Sequence, residues 1–344
     1  MSLGRLASSR GTRLTTGTTG RGGRVTSLML LTAAAWIVFS IVGQGFLSPF
    51  SIYSLTQSVG VVVLIGLAQA AMLVLGRINL AVGGIGVVVS AAVGLMLNFT
   101  PLPLPLVLLL AITIGIAAGL IMGLVEIKSK LNSFVVTLAF LALYSGSVLL
   151  LTQATYFPIT PAPLLWLGNG NFISAYVSPI CAVAVLIAVV LWVFYFFTTA
   201  GWRARAVGAN QRAASASGVR TTTTVLTGYA LSGGLSAVAA ICVASQLAVA
   251  SPTIGSDWML LSFIGPLLGG VALAGGIISI GGTVVGSLFY VSIFSGFSVL
   301  SVPTYWLTLA QALILLLALL VGQLDHRFGA RLTRRTRSEE NDNA

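Results

Sequence analysis

The chain has 344 residues, 57% of them hydrophobic and 7% charged, and a mean hydropathy of +1.05, against about 25% charged residues in an ordinary soluble domain. A polytopic membrane protein is the class that fits, and no stretch is polar enough for an extramembrane catalytic domain. The formal charge of +11 reads as a topology signal, not as affinity for nucleic acid. Cys181 and Cys242 both lie in apolar runs, and the single histidine is His326, so neither a disulfide framework nor a His-based metal centre is implied.

Residues 1–26 carry five arginines, no acid and many Ser, Thr and Gly, the composition of a disordered basic tail. The glycines break any amphipathic presequence helix, and no small-residue cleavage site follows the first apolar run, which is therefore expected to be an uncleaved span. Apolar runs between Gly, Pro and polar breaks predict ten spans: 27–47, 54–75, 79–98, 102–125, 132–152, 176–199, 221–247, 258–275, 280–299 and 304–322. The expected organisation is thus a membrane domain over 27–322 and a cytoplasmic tail over 323–344. Ten spans put both termini on one side and place all seventeen cations on inside segments, as the positive-inside bias requires of a cytoplasmic face. The basic C-terminal cluster Arg327 to Arg337 suits anionic lipid.

The longest outside segment, 153–175, has no charge but contains Phe157, Pro158, Pro161, Pro163 and Trp166. It reads either as an interfacial aromatic anchor or as a docking surface. The glycine ladder Gly115, Gly119, Gly123, with Gly265 to Gly269 and Gly282 to Gly286, permits close helix approach, within the subunit or across a dimer seam.

Ionisable groups at membrane depth are expensive and usually functional, and here they are almost missing. The six acids are Glu126, Asp257, Asp325, Glu339, Glu340 and Asp342. Asp257 reads as a helix cap and no proton relay has candidates. A phosphate-cradling loop needs Gly-Lys after a glycine-rich turn, whereas Lys128 and Lys130 follow Ile127 and Ser129. Any ATP that drives this protein is hydrolysed by another polypeptide. Arg77, at an inner helix end, is expected to snorkel to the headgroups, a gate or ATPase contact being the sharper alternative.

The most informative stretch is AGWRARAVGANQRAASASGVR, from Ala200 to Arg220. Asn210 is a favourable N-cap, Gln211 to Ser217 holds good helix formers, and Gly218 suits the left-handed position that ends a helix. A helix of about seven residues is about 10 Å long and marginal alone in water, so it needs a neighbour.

This loop resembles the coupling segment of permease subunits of binding-protein-dependent ABC importers of the ribose and monosaccharide type, in the branched-chain amino acid/monosaccharide permease family. The family pattern is met at Gly201, Ala206, Gly208, Asn210, Ala213, Ala214, Ser217 and Gly218. GRINLAVGG from Arg77 is similar to the family's Gly-Ile-Asp-Leu-Ser-Val-Gly break. SFVVTLAFLALYSG and LGGVALAGGIISIGGTVVGSLF are similar to two further family segments, with Thr137 and Gly146 retained. Such breaks are plausible walls of a path, since non-helical backbone at membrane depth is tolerated only where protein or water satisfies it.

The resemblance implies an all-α permease with some broken helices, working as a dimer with the same or a different permease chain. Its other partners would be ABC ATPase subunits that bind ATP and Mg, an extracytoplasmic solute-binding protein, and the bilayer. No cofactor is implied in this chain. The coupling residues it implies are Gly201, Arg203, Arg205, Gly208, Asn210, Arg212, Ala213, Ala214, Ser217 and Gly218, the small ones permitting close approach and the arginines pairing with ATPase acids. Candidate path residues are Gln69, Asn79, Thr137, Phe294 and Ser295; for Gln69 and Asn79 an interhelical hydrogen bond is the competing role. The departures are Asn79 for the family's Asp, Ala81 for Ser, Ser145 for Arg, and Phe294 and Ser295 for paired Asn. They imply a less polar cargo or a more typical partner permease. The implied cargo is a monosaccharide, with nucleosides, autoinducer-like compounds and branched-chain amino acids as alternatives; a passive channel or a non-transporting scaffold are the rival classes.

Overall fold

A computed structural model describes residues 19–43, 45–172, 176–303 and 305–316. Most of the expected N-terminal tail and all of the expected C-terminal tail, with His326 and the Arg327 to Arg337 cluster, lie outside the described residues. The helices are α1 (Thr19–Val42), α2 (Pro49–Leu73), α3 (Val82–Phe99), α4 (Leu104–Ser129), α5 (Ser133–Thr152), α6 (Ala162–Asn169), α7 (Pro179–Phe197), α8 (Thr199–Ala209), α9 (Gln211–Ala216), α10 (Thr221–Leu247), α11 (Trp258–Leu268) and α12 (Ile280–Val299). A last apolar helix, α13, covers Tyr305–Leu316. Two short strands, β1 (Phe157–Pro158) and β2 (Val249–Ala250), pair antiparallel with Phe157 opposite Ala250.

Local chemistry sets where these helices begin. Ser48, Asn132, Ser178, Thr198, Asn210 and Ser279 each occupy an N-cap and accept a backbone N–H from the first turn, the interaction that satisfies donors a helix start leaves unpaired. Pro49 and Pro179 follow two of these caps, where the missing N–H is no loss. Asp257 holds the N-cap position of α11 but its side chain makes no capping bond, so the expected cap is one of position only.

Among the described residues, eight helices are long and apolar enough to cross a membrane: α1 to α5, α7, α10 and α12. The eighth expected span, 258–275, is a half-helix. α11 has 11 residues, about 16 Å of rise against a hydrocarbon core of about 30 Å, and residues 269–279 continue it as non-helical backbone. α13 corresponds to the tenth. The sixth-to-seventh connection, expected to hold one short helix, holds two, α8 and α9.

Burial sorts the helices into a centre and a ring. α2 and α10 have 61% and 67% of their best apolar window buried, α1 and α5 only 17%. The ring turns Leu150, Leu151, Leu186 and Phe197 outward, a surface that would aggregate in water and is what a bilayer solvates. α4 and α10 form the most extensive helix pair. A β-carbon on Gly119 would collide with the Tyr229 carbonyl, and one on Gly233 with that of Gly115. Gly265, Gly269, Gly282 and Gly286 likewise bring α11 and α12 into backbone contact. The glycine ladders are therefore packing surfaces within the subunit, which resolves the alternative of a dimer seam for these faces.

The outer connection is folded onto the bundle. The Gln57 side-chain amide donates to the Gly168 carbonyl (2.6 Å) and accepts from the Gln246 amide (3.1 Å), and the Tyr53 hydroxyl donates to the Gly170 carbonyl (2.8 Å). Phe157 is buried, while Trp166 is half exposed.

Candidate functional site

The sequence motifs converge at one end of the bundle, where three stretches of irregular backbone meet: residues 74–81 after α2, 269–279 after α11, and the α8–α9 corner. The Gly276 N–H donates to the Val74 carbonyl (2.8 Å), a backbone bond that joins the two helix breaks directly. Gly208, at the end of α8, lies against this same bond. A β-carbon there would overlap the Val74 carbonyl oxygen and come within 2.5 Å of the Gly276 nitrogen. Gly275 approaches from the other side, its own β-carbon position falling 2.6 Å from the Gly76 nitrogen and 2.7 Å from the Gly208 carbonyl. No other residue type permits this contact, so the glycines that looked like separate motifs form one junction.

α8 and α9 are ordered by their caps. The Gly201 N–H donates to Thr198 Oγ1 (3.2 Å) and the Ala213 N–H to Asn210 Oδ1 (3.0 Å); the Asn210 cap is the one expected from the sequence. Gly218 follows with φ +82°, the left-handed conformation anticipated for it. The expected coupling residues divide into two groups. Gly201, packed on the Phe194 and Tyr195 backbone, and Gly208 face the bundle, and Ala214 is buried. Arg205 is half-buried, with its guanidinium 5.1 Å from the centre of the Phe196 ring. Arg203, Asn210, Arg212, Ala213, Ser217 and Gly218 are exposed, and Ala206 is half-buried. The surface open to a partner is therefore narrower than the motif: Ala214 and Arg205 are engaged within the chain.

The break at 74–81 is supported by side chains of its neighbours. The Ile78 N–H donates to Ser133 Oγ (3.3 Å), the Leu80 N–H to Thr137 Oγ1 (3.1 Å) and the Ala81 N–H to Asn79 Oδ1 (2.9 Å), while Asn79 Nδ2 donates to Ser232 Oγ (2.9 Å). These bonds satisfy donors that α2 and α3 leave behind, which at membrane depth would each cost several kcal/mol unpaired. Asn79 and Thr137, both buried, thus hold the shape of the break. The hydrogen-bonding alternative raised for Asn79 describes it; for Gln69 it does not, because neither amide atom of this fully buried side chain has a partner.

The five expected path residues do not form one wall. Gln69 lies in the inner half of α2, ten residues before Asn79. Phe294, exposed and near the Tyr290 ring, and Ser295 lie toward the opposite end of α12, where Gly296 packs on Phe39 of α1. A cavity of about 230 Å³ opens between α2, α7, α8 and α10, lined among others by Leu75, Tyr195, Arg203, Arg220 and Thr227.

Sequence reasoning missed an ionic group beside the junction. Arg77 forms an ion pair with Glu126 at the inner end of α4, and the Tyr229 hydroxyl of α10 donates to the other carboxylate oxygen. Glu126 is 3% exposed and Arg77 19%. The expectation that Arg77 snorkels to headgroups is therefore corrected: its counter-ion is in the protein. The available signal was that Glu126 and Arg77 are lone opposite charges at inner ends of neighbouring spans, where an unpaired buried carboxylate is costly.

A bundle of apolar helices broken at one face, with a capped cationic loop helix against the breaks, defines a multi-pass membrane permease. The family model described as branched-chain amino acid transport system / permease component matches residues 51–320, and the chain belongs to that family. It is 32% identical over 292 residues to the ribose import permease protein RbsC of Bacillus subtilis (strain 168), covering 83% of this chain and 89% of that one. It is 29% identical over 302 residues to the L-arabinose ABC transporter permease protein AraH of Azospirillum brasilense, covering 86% of each. It is 28% identical over 284 residues to the autoinducer 2 import system permease protein LsrC of Photorhabdus luminescens, covering 82% of this chain and 85% of that one. No solved structure matches the chain significantly. The protein is an ABC importer permease subunit of the inner membrane, as the motif resemblance implied.

Proposed function

We propose that this subunit translocates a monosaccharide or a similar small hydroxylated solute, delivered by an extracytoplasmic binding protein and driven by separate ATPase chains that hold the ATP and Mg. Two permease chains, the same or different, stand on two ATPases; the ten predicted crossings put both termini in the cytoplasm, and nucleic acid has no part. Names among the relatives, ribose and L-arabinose, support the cargo class. The permease supplies an alternating-access path and does no chemistry of its own.

The observation that carries this reading is the junction at Gly208. The exposed helix α9 is useful to an importer because it follows directly on α8, whose Gly208 touches both breaks at once, through Val74 and Gly276. Motion of α9 would reach the breaks through the Asn210 corner and α8. A passive channel has no use for such an arm.

The test is purification of the tagged chain from its native membrane in mild detergent, identifying each co-purifying polypeptide and its stoichiometry. Recovery of an ATPase in equal number to the permease chains is the expected outcome, and a second permease sequence would mark a heterodimer. Recovery of this chain alone at high yield would overturn the importer reading in favour of a channel or scaffold.

A further inference from the structure

The ion pair at the inner face is one of the links between the 74–81 break and the α4–α10 body, beside the Asn79–Ser232 hydrogen bond and the packing of Leu75 on Gly228. Glu126 and Tyr229 ride on α4 and α10, which are locked together by backbone contact at Gly115, Gly119 and Gly233. Arg77 rides on the 74–81 break, which is tied by the Gly276–Val74 bond to the second break and touched by Gly208 of α8. Displacement of the junction relative to the α4–α10 body would load this pair together with the Asn79–Ser232 bond.

A cleft of about 250 Å³ opens beside the pair, lined by Arg77, Glu126, Lys130, Gln211 and Thr221. A second cation lines the same cleft: Lys130, one turn beyond Glu126, is exposed and ends α4 in the left-handed conformation, φ +57°. Gln211, the first residue of α9, shares the cleft. A buried ion pair adds little net stability over an apolar contact of the same shape, whereas removing one partner strands a charge. A carboxylate that exchanged one cation of this cleft for the other would avoid that penalty in both positions.

We propose that Glu126 is the positioning residue of an inner latch. It holds Arg77 while the break is closed against α4–α10, and passes to Lys130 when α8 and α9 draw the break away. Tyr229 stays bonded to the carboxylate in both positions. The latch deepens the importer reading, on which it rests for the source of the motion.

Two readouts separate the latch from that reading. In a Cys181→Ala/Cys242→Ala background, Ile78→Cys reports opening of the break by its labelling rate with a membrane-impermeant maleimide from the inner face, without any ATPase. Glu126→Gln, which can still accept the Tyr229 hydroxyl, is expected to raise that rate at least fivefold, and the charge swap Arg77→Glu/Glu126→Arg to return it to within twofold of the unsubstituted pair. In the assembled complex, Lys130→Ala is expected to keep the slow resting rate but to lose at least half of the increase that ATP and Mg produce. Unchanged labelling in a monodisperse Glu126→Gln protein, or no rescue by the swap, overturns the latch. An undiminished ATP response in Lys130→Ala overturns the exchange. A latch that responds in the chain alone, from a preparation in which no ATPase is recovered, would leave this inference standing while the importer reading fell.

Discussion

The two ends of the bundle are closed by different means. At the outer end, α6 and the β1–β2 pair lie over the helix termini, and Gln57, Gln246, Tyr53 and Asn169 satisfy one another and the loop carbonyls. That end carries no cation, and its polar groups are largely paired within the chain. The inner end is closed by backbone contact between breaks, guarded by one ion pair, and it presents α9 with Arg212, Ala213 and Ser217 exposed. The outer closure is a set of ordinary hydrogen bonds, each worth about 0.5–1.5 kcal/mol net. The inner closure is steric and leaves no slack. On the importer reading proposed above, the difference makes the outer end the lid and the inner end the drive, where contact is rigid and surface is unspent.

The sharpest way to break that contrast is Gly208→Val. Its side chain would occupy the space of the Val74 carbonyl and the Gly276 nitrogen, so the corner must withdraw from both breaks. Solute uptake in reconstituted vesicles should fall to background. The protein should still reach the membrane, since α8 lies outside the α4–α10 centre, and ATP hydrolysis should continue without uptake. Normal uptake by Gly208→Val would show that the junction does not transmit motion.

Next in size is Gly119→Val, which tests the body against which the junction moves. The added carbons meet the Tyr229 carbonyl and the Gly233 backbone; overpacking of this kind costs about 1–3 kcal/mol or more. Here the loss should appear as a lower melting temperature in detergent and poor yield, before any functional defect can be measured. The two glycine substitutions thus separate transmission from folding.

Much of this architecture was legible in the sequence because its signals are strong and local. Apolar length sets the spans, and Asn210 and Gly218 set the ends of α9. What was not legible is pairing across distance. Arg77 and Glu126 are 49 positions apart by their numbers, and Arg77 alone reads as a headgroup contact. Nor does the motif around Ala213 reveal which of its small residues face the bundle, because a helix of 6 residues has too little periodicity to define a face. Asn79 and Thr137 stand as path candidates beside the family-like segments, and the structure adds that their polar atoms hold up the bent backbone between α2 and α3.

That last point gives a smaller, cleaner test. Thr137→Val keeps the shape of the side chain but removes the oxygen that accepts the Leu80 N–H. One buried donor left unpaired costs about 1–3 kcal/mol, so thermal stability should fall measurably. Thr137→Ser should be close to neutral because the acceptor remains. If Thr137 instead only touched the cargo, the two variants would change transport and leave the melting temperature alone.

The smallest effect is expected at the outer lid, and its smallness is the point. Gln57→Leu removes both the bond to the Gly168 carbonyl and the one from Gln246. The Gln246 amide is partly exposed and water can replace its bond, whereas the buried Gly168 carbonyl loses its partner, so the net loss should be about 1–2 kcal/mol, confined to the outer connection. Hydrogen exchange at α6 and the Asn169–Gly170 turn should quicken, with the melting temperature nearly constant and uptake retained. A loss of uptake as deep as that of Gly208→Val would mean that the outer closure also transmits force, and the division of the bundle into a lid and a drive would not hold.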